Sequence, residues 1–131
     1  MEASLKEVKD SIGAIHDYPK PGIVFRDITP LLQNHDAFKS SIDALKQRYE
    51  KSGVTQIAAI EARGFLFGSA LAYALGCGIT LLRKPGKLPG KVVSQSYALE
   101  YGEDELQMHK NALTSNDKVL IIDDLLATGG T

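Results

Sequence analysis

The stretch VLIIDDLLATGGT, residues 119–131, is the most informative part of this 131-residue sequence. Its four leading apolar residues predict a strand that is buried on both faces, as in a parallel sheet. Asp123 and Asp124 follow at the carboxyl end of that strand. Because ligands of open α/β sheets bind at this edge, the two carboxylates are candidates to accept hydrogen bonds from sugar hydroxyls or to hold hydrated Mg²⁺.

The end of the same stretch, Thr128-Gly129-Gly130-Thr131, has the composition of a phosphate-binding turn. Two glycines let backbone N–H groups converge on an anion, and a threonine hydroxyl stands on either side. An apolar strand that ends in Asp-Asp is also typical of nucleotide triphosphatases and receiver domains. The sequence contains no Gly-x-x-x-x-Gly-Lys-Ser/Thr motif, so the triphosphatase interpretation is disfavoured.

The hydrophobic pattern predicts an α/β domain with parallel strands. Short apolar runs alternate with a helical segment, an order that favours crossover helices between parallel strands. A polar stretch late in the chain is interpreted as a mobile excursion or an exposed hairpin. In order, the predicted elements are a helix over 3–15, an irregular loop over 16–30, a helix from Asp36 to a cap at Gly53, strands over 56–60, 79–82 and 118–122, a helix over 64–75, the excursion over 92–105, and a short helical or extended piece over 106–113.

Composition and charge restrict the class of protein. A chain of this length suits a single hydrophobic core, and we expect one domain over residues 1–131. The net charge of −1 leaves no footprint for nucleic acid at the level of the whole domain. A single cysteine, Cys77, and the lack of a signal peptide or a membrane-spanning run favour a cytoplasmic protein with no membrane partner.

Residues 119–131 resemble the signature with which type I phosphoribosyltransferases bind 5-phosphoribosyl 1-diphosphate (PRPP). The resemblance implies a Rossmann-like α/β fold, with a central, mostly parallel sheet flanked by helices and a flexible catalytic loop or hairpin. It also implies that Asp123 and Asp124 bind the ribose of PRPP. The 5-phosphate would be bound by the residues that follow, which are Ala127, Thr128, Gly129, Gly130 and Thr131.

A second segment narrows the resemblance to the adenine-specific branch of that family. The sequence PGIVFRDI, residues 21–28, lies in the predicted loop over 16–30 and is similar to the base-recognition segment of the branch. There Phe25 would stack on the flat purine, and the backbone around Val24, Phe25 and Arg26 would hydrogen-bond the purine edge. Without the other motifs, the same residues would be interpreted as a loop anchor packed on the core.

The turn EARGF, residues 61–65, resembles the diphosphate loop of the family. It joins a predicted strand to a predicted helix, a geometry that presents N–H groups and a cation to an anion. By resemblance Arg63 binds diphosphate, and the basic segment over 83–90 contributes Lys84 and Lys87. In relatives, part of that segment reaches the site of the neighbouring subunit, which implies a homodimer. Without the resemblance, the arginine and the basic segment would be interpreted as solvated surface.

The segment over 91–105 resembles the flexible catalytic loop of the family. Glu100 matches the proposed catalytic acid/base, and Tyr101 would help to shape the loop. Closure of such a loop would exclude water and so prevent hydrolysis of PRPP.

The implied reaction joins adenine to PRPP and releases AMP and diphosphate. Mg²⁺ would be carried by PRPP, near Asp123 and Asp124, without direct metal ligands from the protein. Two alternatives stay open: a phosphoribosyltransferase for hypoxanthine, guanine or xanthine, and a non-catalytic regulator that senses PRPP or a purine. Because the sequence stops inside the predicted phosphate loop, we expect a C-terminally truncated chain that binds PRPP poorly and turns over little or nothing.

Overall fold

A computed structural model describes residues 2–99, 102–126 and 130–131. The chain divides into two compact units, Met1–Arg48 and Tyr49–Thr131. This division does not test whether the units form one domain, so the single domain over 1–131 stays a prediction. Within the described ranges, no helix is both long enough and apolar enough to cross a bilayer.

The first unit combines helices with a two-stranded antiparallel hairpin. Asn34 is the N-cap of the longest helix in this unit, because its Oδ1 accepts the Ala37 N–H at 3.1 Å. The helix predicted from Asp36 is therefore confirmed to within one residue at its start, although it ends before Gly53. The elements are α1 Glu2–Asp10, β1 Gly13–His16, β2 Val24–Asp27, α2 Thr29–Gln33 and α3 His35–Tyr49.

Two predictions for this unit are wrong. The helix predicted over 3–15 ends at Asp10, and Gly13–His16 forms β1 instead. Cross-strand pairing accounts for the difference, because Ile15 lies opposite Phe25 in the hairpin. The segment over 16–30, predicted to be irregular, contains β2 and the start of α2. Pro30 suits the first turn of α2, where a missing N–H breaks no helical hydrogen bond.

The second unit contains a three-stranded parallel sheet, in which the central strand Gln56–Ile60 (β3) pairs with Gly78–Leu82 (β4) on one side and with Val119–Ile122 (β7) on the other. β3 is buried along most of its length because it is the central strand. The parallel strands and the helix after β3 are confirmed, with ends that differ by one residue at most from those predicted. The predicted burial of residues 119–122 on both faces is wrong. The helix after β3 packs on the face that carries Ile122, and Ile121, on the opposite face, is 63% exposed. The elements are β3 Gln56–Ile60, α4 Arg63–Leu75, β4 Gly78–Leu82, β5 Val92–Ala98, β6 Glu103–His109 and β7 Val119–Ile122.

Strands β5 and β6 form an antiparallel hairpin over most of the predicted excursion. The hairpin joins β4 through Arg83 and Gln107, whose N–H groups donate to each other's carbonyl oxygens at 2.8 and 2.7 Å. The hairpin interpretation is therefore confirmed, and the piece over 106–113 is extended as far as His109. The mobility of this stretch stays a prediction.

Candidate active site

The carboxyl ends of three parallel strands bring separate chain segments to one edge of the sheet. The turn over 61–63 follows β3, Arg83 and Lys84 follow β4, and Asp123 and Asp124 follow β7. Because β3 pairs with both other strands, its turn starts between the other two segments. Residues assigned to the diphosphate and the ribose of PRPP thus start from neighbouring strand ends.

The acidic pair is tied together and partly withdrawn from water. Asp123 Oδ1 accepts the backbone N–H of Asp124 at 2.8 Å. Burial raises the pKa of Asp123, and the neighbouring Asp124 carboxyl group raises that pKa further. Because water reaches these carboxylates poorly, hydrogen bonds from a ligand stabilise their charged form. Sugar hydroxyls can donate such hydrogen bonds and are suitable ligands for this pair.

Arg63 contacts the acidic pair directly. Its Nε lies 2.9 Å from Asp124 Oδ2; the arginine side chain is 47% exposed and the aspartate side chain only 10%. The residue predicted to bind diphosphate therefore stands beside a residue predicted to bind ribose. A PRPP molecule needs this arrangement, because its diphosphate is attached to C1 of its ribose.

Gly64 permits the close approach between the start of α4 and the end of β7. A Cβ atom at this position would lie 2.9 Å from the carbonyl oxygen of Ile122 and 3.2 Å from the Cα of Asp123. Both neighbours are backbone atoms, which cannot rotate away as a flexible side chain can. The peptide bond between Glu61 and Ala62, just before this contact, is cis.

The basic segment after β4 is held by two carboxylates. Glu61 Oε1 accepts the Lys84 backbone N–H at 2.6 Å and lies 3.2 Å from Arg83 Nε. The Lys84 amino group donates to Asp104 and to the Tyr97 hydroxyl, the latter at 3.0 Å. The hydrogen bond between these two side chains raises the pKa of Lys84 and lowers the pKa of Asp104. Lys84 thus starts at the predicted site while its amino group contacts the hairpin.

The remaining predicted diphosphate residue, Lys87, is exposed on the turn that follows. Its N–H donates to the carbonyl oxygen of Lys84 at 3.3 Å. The structure therefore places Lys87 five residues beyond the end of β4, and its contact with diphosphate stays a prediction.

Sequence reasoning missed the roles of Glu61 and Asp104 as partners of the basic segment. Glu61 belongs to the same motif as Arg63, EARGF, and directly follows a predicted strand. A carboxylate at this strand end could therefore have indicated a partner for the basic segment. For Asp104, the sequence offered no local signal, because its partner Lys84 lies 20 residues away, in the segment after β4.

The predicted base-recognition residues lie on β2 of the first unit. The backbone there is extended and paired with β1, and Val24 and Arg26 are exposed. Phe25 is half-buried and meets Tyr18 edge to face, with ring centroids 5.4 Å apart. Such a pair orients an aromatic ring more firmly than burial alone. Stacking on a purine stays a prediction.

Several predicted residues fall outside the described part of the chain: Glu100, Tyr101, Ala127, Thr128 and Gly129. The acid/base and most of the phosphate-binding turn therefore stay predictions.

The end of that turn lies within the described part. Gly130 and Thr131 are exposed and have no regular secondary structure.

The acidic pair is also the candidate contact for Mg²⁺. In the described ranges, no group of three or more His, Cys, Asp or Glu side chains is arranged to hold a metal ion. Asp123 and Asp124 offer carboxylate oxygens, the ligand type that Mg²⁺ prefers, and Mg²⁺ usually keeps waters and substrate phosphates as its other ligands. The pair fits a Mg²⁺ ion that arrives with a phosphorylated substrate.

Comparison with known families finds one match over most of the chain. The phosphoribosyl transferase domain family matches residues 27–131. A relative named adenine phosphoribosyltransferase, from Idiomarina loihiensis, is 75% identical over 131 residues, which cover all of this chain and 74% of the relative.

Solved structures give the same result. The crystal structure of adenine phosphoribosyltransferase from Thermoanaerobacter pseudethanolicus superposes with a TM-score of 0.91 at 53% identity, covering 96% of this chain and 73% of that one. The Saccharomyces cerevisiae enzyme, complexed with adenine and an imino-altritol bisphosphate, gives a TM-score of 0.93 at 39% identity, covering 99% and 76%.

Proposed function

The chain belongs to the phosphoribosyl transferase family, and on that premise we propose that it transfers the 5-phosphoribosyl group of PRPP to adenine, yielding AMP and diphosphate. The observation that carries this proposal is the ion pair between Arg63 and Asp124, with 2.9 Å between Nε and Oδ2. This ion pair joins a diphosphate-binding turn to a ribose-binding strand end. The high identity to relatives named for adenine supports the choice of base.

In the reaction, N9 of adenine forms a bond to C1 of the ribose while the bond from C1 to diphosphate breaks. Positive charge grows on the ribose and negative charge grows on the leaving diphosphate. Asp123 and Asp124 hold the ribose hydroxyls and favour the positive charge, whereas Arg63 stabilises the departing diphosphate. When bound, Mg²⁺ neutralises diphosphate charge; PRPP would carry it, and Asp123 and Asp124 would hold it through its waters rather than as direct ligands.

Base recognition and proton transfer are assigned to other segments. Phe25 stacks on adenine, and the backbone of Val24 and Arg26 binds the adenine edge. Glu100 acts as the acid/base for the imidazole ring of the purine. The orientation of Phe25 by Tyr18 supports the stacking role.

We also propose that the protein acts as a homodimer in the cytoplasm. Leu66 and Tyr73 lie seven residues apart on one face of α4, and the Tyr73 side chain is 92% exposed. Apolar side chains exposed along one helical face suit contact with a second copy of the chain. The single thiol, Cys77, suits a reducing compartment.

The test is AMP formation by the full-length protein with adenine, PRPP and Mg²⁺. We expect turnover with adenine and at least a hundredfold lower kcat/KM with hypoxanthine. A site built to hydrogen-bond the edge of adenine leaves some of its polar groups unpaired when hypoxanthine binds. Enzymes that reject an analogue in this way discriminate by about 10⁴-fold. Turnover only with hypoxanthine, guanine or xanthine would refute the choice of base. Purine binding in calorimetry without turnover of any base would instead identify a regulator.

A further inference from the structure

Glu61 holds the basic dipeptide at the end of β4 through two hydrogen bonds. Its Oε1 accepts the backbone N–H of Lys84 at 2.6 Å and the side-chain Nε–H of Arg83 at 3.2 Å. The Glu61 side chain is only 14% exposed, so water competes weakly for these donors. One carboxylate thus determines both where Lys84 leaves the strand and which way the Arg83 side chain extends.

Glu61 is itself anchored to the sheet and to the turn that carries Arg63. Its backbone N–H donates to the Leu82 carbonyl oxygen at 3.0 Å, which continues the ladder between β3 and β4. Two residues later Arg63 begins α4. The Arg83 guanidinium also lies over the Phe65 ring, 5.8 Å from its centroid. Glu61 therefore links two cationic segments that are adjacent in space and distant in sequence.

The amino group of Lys84 is held by a different part of the unit. It contacts Asp104 and Tyr97 on the hairpin, whereas its backbone N–H contacts Glu61. If the amino group leaves the hairpin to reach an anion, its backbone starting point is still determined by Glu61. The contact to Glu61 is therefore compatible with either position of the side chain.

We propose that Glu61 is a positioning residue for diphosphate binding. By holding Arg83 and the backbone of Lys84 against the turn of Arg63, it makes these cationic groups converge on one anion. The inference rests on the proposed function, since diphosphate is a substrate group only in that reaction. A carboxylate at an anion site would otherwise oppose binding, so its contribution must come from the placement of its two donors.

Three substitutions of Glu61 separate position from charge. Glu61→Gln keeps the reach and an acceptor oxygen but removes the charge, whereas Glu61→Asp keeps the charge and loses the reach of one methylene group. Glu61→Ala loses both. We expect Glu61→Ala and Glu61→Asp to raise the KM for PRPP about tenfold, the loss expected for a hydrogen bond with a charged partner. Glu61→Gln should stay within about threefold of wild type, and the KM for adenine should not change.

Asp117→Ala is the matched control. Asp117 also accepts one backbone N–H, from Thr114 at 2.9 Å, together with two side-chain hydroxyl donors, from Thr55 at 2.8 Å and from Thr114 at 3.3 Å. Thr55 and Asp117 precede β3 and β7, at the opposite end of the sheet from the site. The control should lower Tm, as Glu61→Ala does, and leave the KM for PRPP unchanged.

Each remaining outcome decides a different point. If Glu61→Ala lowers Tm but leaves the KM for PRPP unchanged, Glu61 is only structural and the inference is overturned. If Glu61→Ala does not fold, equal KM values for Glu61→Asp and Glu61→Gln would overturn it. If the wild-type protein forms no AMP, the proposed function fails. The binding of Mg²⁺-diphosphate, measured by calorimetry, then tests the inference about Glu61. Equal affinities of the wild-type protein and Glu61→Asp would overturn that inference.

Discussion

Replacing Gly64 with alanine should damage the proposed PRPP site more than it damages the fold. The new Cβ would lie 2.9 Å from the Ile122 carbonyl oxygen and 3.2 Å from the Asp123 Cα, where ordinary contacts begin at about 3.4 Å. Relief requires α4 and the end of β7 to separate by about 0.5 Å, because neither backbone atom can rotate away. That separation acts directly on Arg63 and the acidic pair.

The expected magnitudes differ for activity and stability. Misplacement of a catalytic group by about 1 Å costs about a hundredfold in rate, so 0.5 Å should lower kcat/KM for PRPP by about tenfold. Overpacking costs about 1–3 kcal/mol, and alanine returns about 1 kcal/mol of helix propensity. The net loss of about 0–2 kcal/mol should lower Tm by at most about 7 °C.

The assay is AMP formation at a fixed temperature well below Tm, with thermal unfolding measured in parallel. Gly68→Ala is the control, one turn later in the same helix. Its Cβ would lie 2.6 Å from Ala59 Cβ and 3.0 Å from Ile122 Cγ2, both side-chain atoms of the core and not the backbone at the end of β7, so it should lower Tm at least as much as Gly64→Ala does. It should leave kcat/KM within about threefold of wild type. If Gly64→Ala kept wild-type kinetics, with or without a lower Tm, the close approach would have no role in placing the acidic pair.

Three further predictions concern carboxyl groups. Glu100→Gln should lower kcat by about a hundredfold or more while changing PRPP affinity less, because general acid–base catalysis contributes about 10²–10⁴-fold; an unchanged kcat in steady-state kinetics would remove the acid/base assignment. Asp104→Asn should free the Lys84 amino group from its ion pair and so lower the KM for PRPP with little change in Tm; a raised KM would show that the pair helps binding. The Thr114 backbone N–H, together with other hydrogen bonds, lowers the pKa of Asp117 in the folded protein. The Asp117 carboxylate therefore stabilises the fold at any pH above its pKa in the unfolded chain, about 3.9. This stabilisation is lost as the pH falls through the lower pKa of the folded state. The stability difference between wild type and Asp117→Asn in urea titrations should therefore be constant above about pH 5 and shrink in more acidic solution; a constant difference down to pH 2 would contradict this.

The strands of the second unit could be predicted from the sequence because each is a short apolar run bounded by turn residues. Residues 57–60 form such a run and are buried, as expected for a central strand. Val119–Ile122 has the same pattern, but Ile121 is 63% exposed, so the described residues leave one face of this strand open. The region before β2 was harder. Apolar residues up to Ile15 fit a helical stripe, but pairing of Ile15 with Phe25 favours a strand, and this tertiary contact outweighs the local preference.

For the site, the sequence alone identified the family resemblance and most of the residue types, because the motif at 119–131 is long and specific and the turn at 61–65 matches the same family. Only the tertiary structure decided which groups touch. Arg63 meets Asp124, Glu61 holds Arg83 and Lys84, and the Lys84 amino group turns to the hairpin. These contacts join residues 20 to 61 positions apart. Their partners are set by strand order and register, which depend on the whole packed sheet and not on any local pattern.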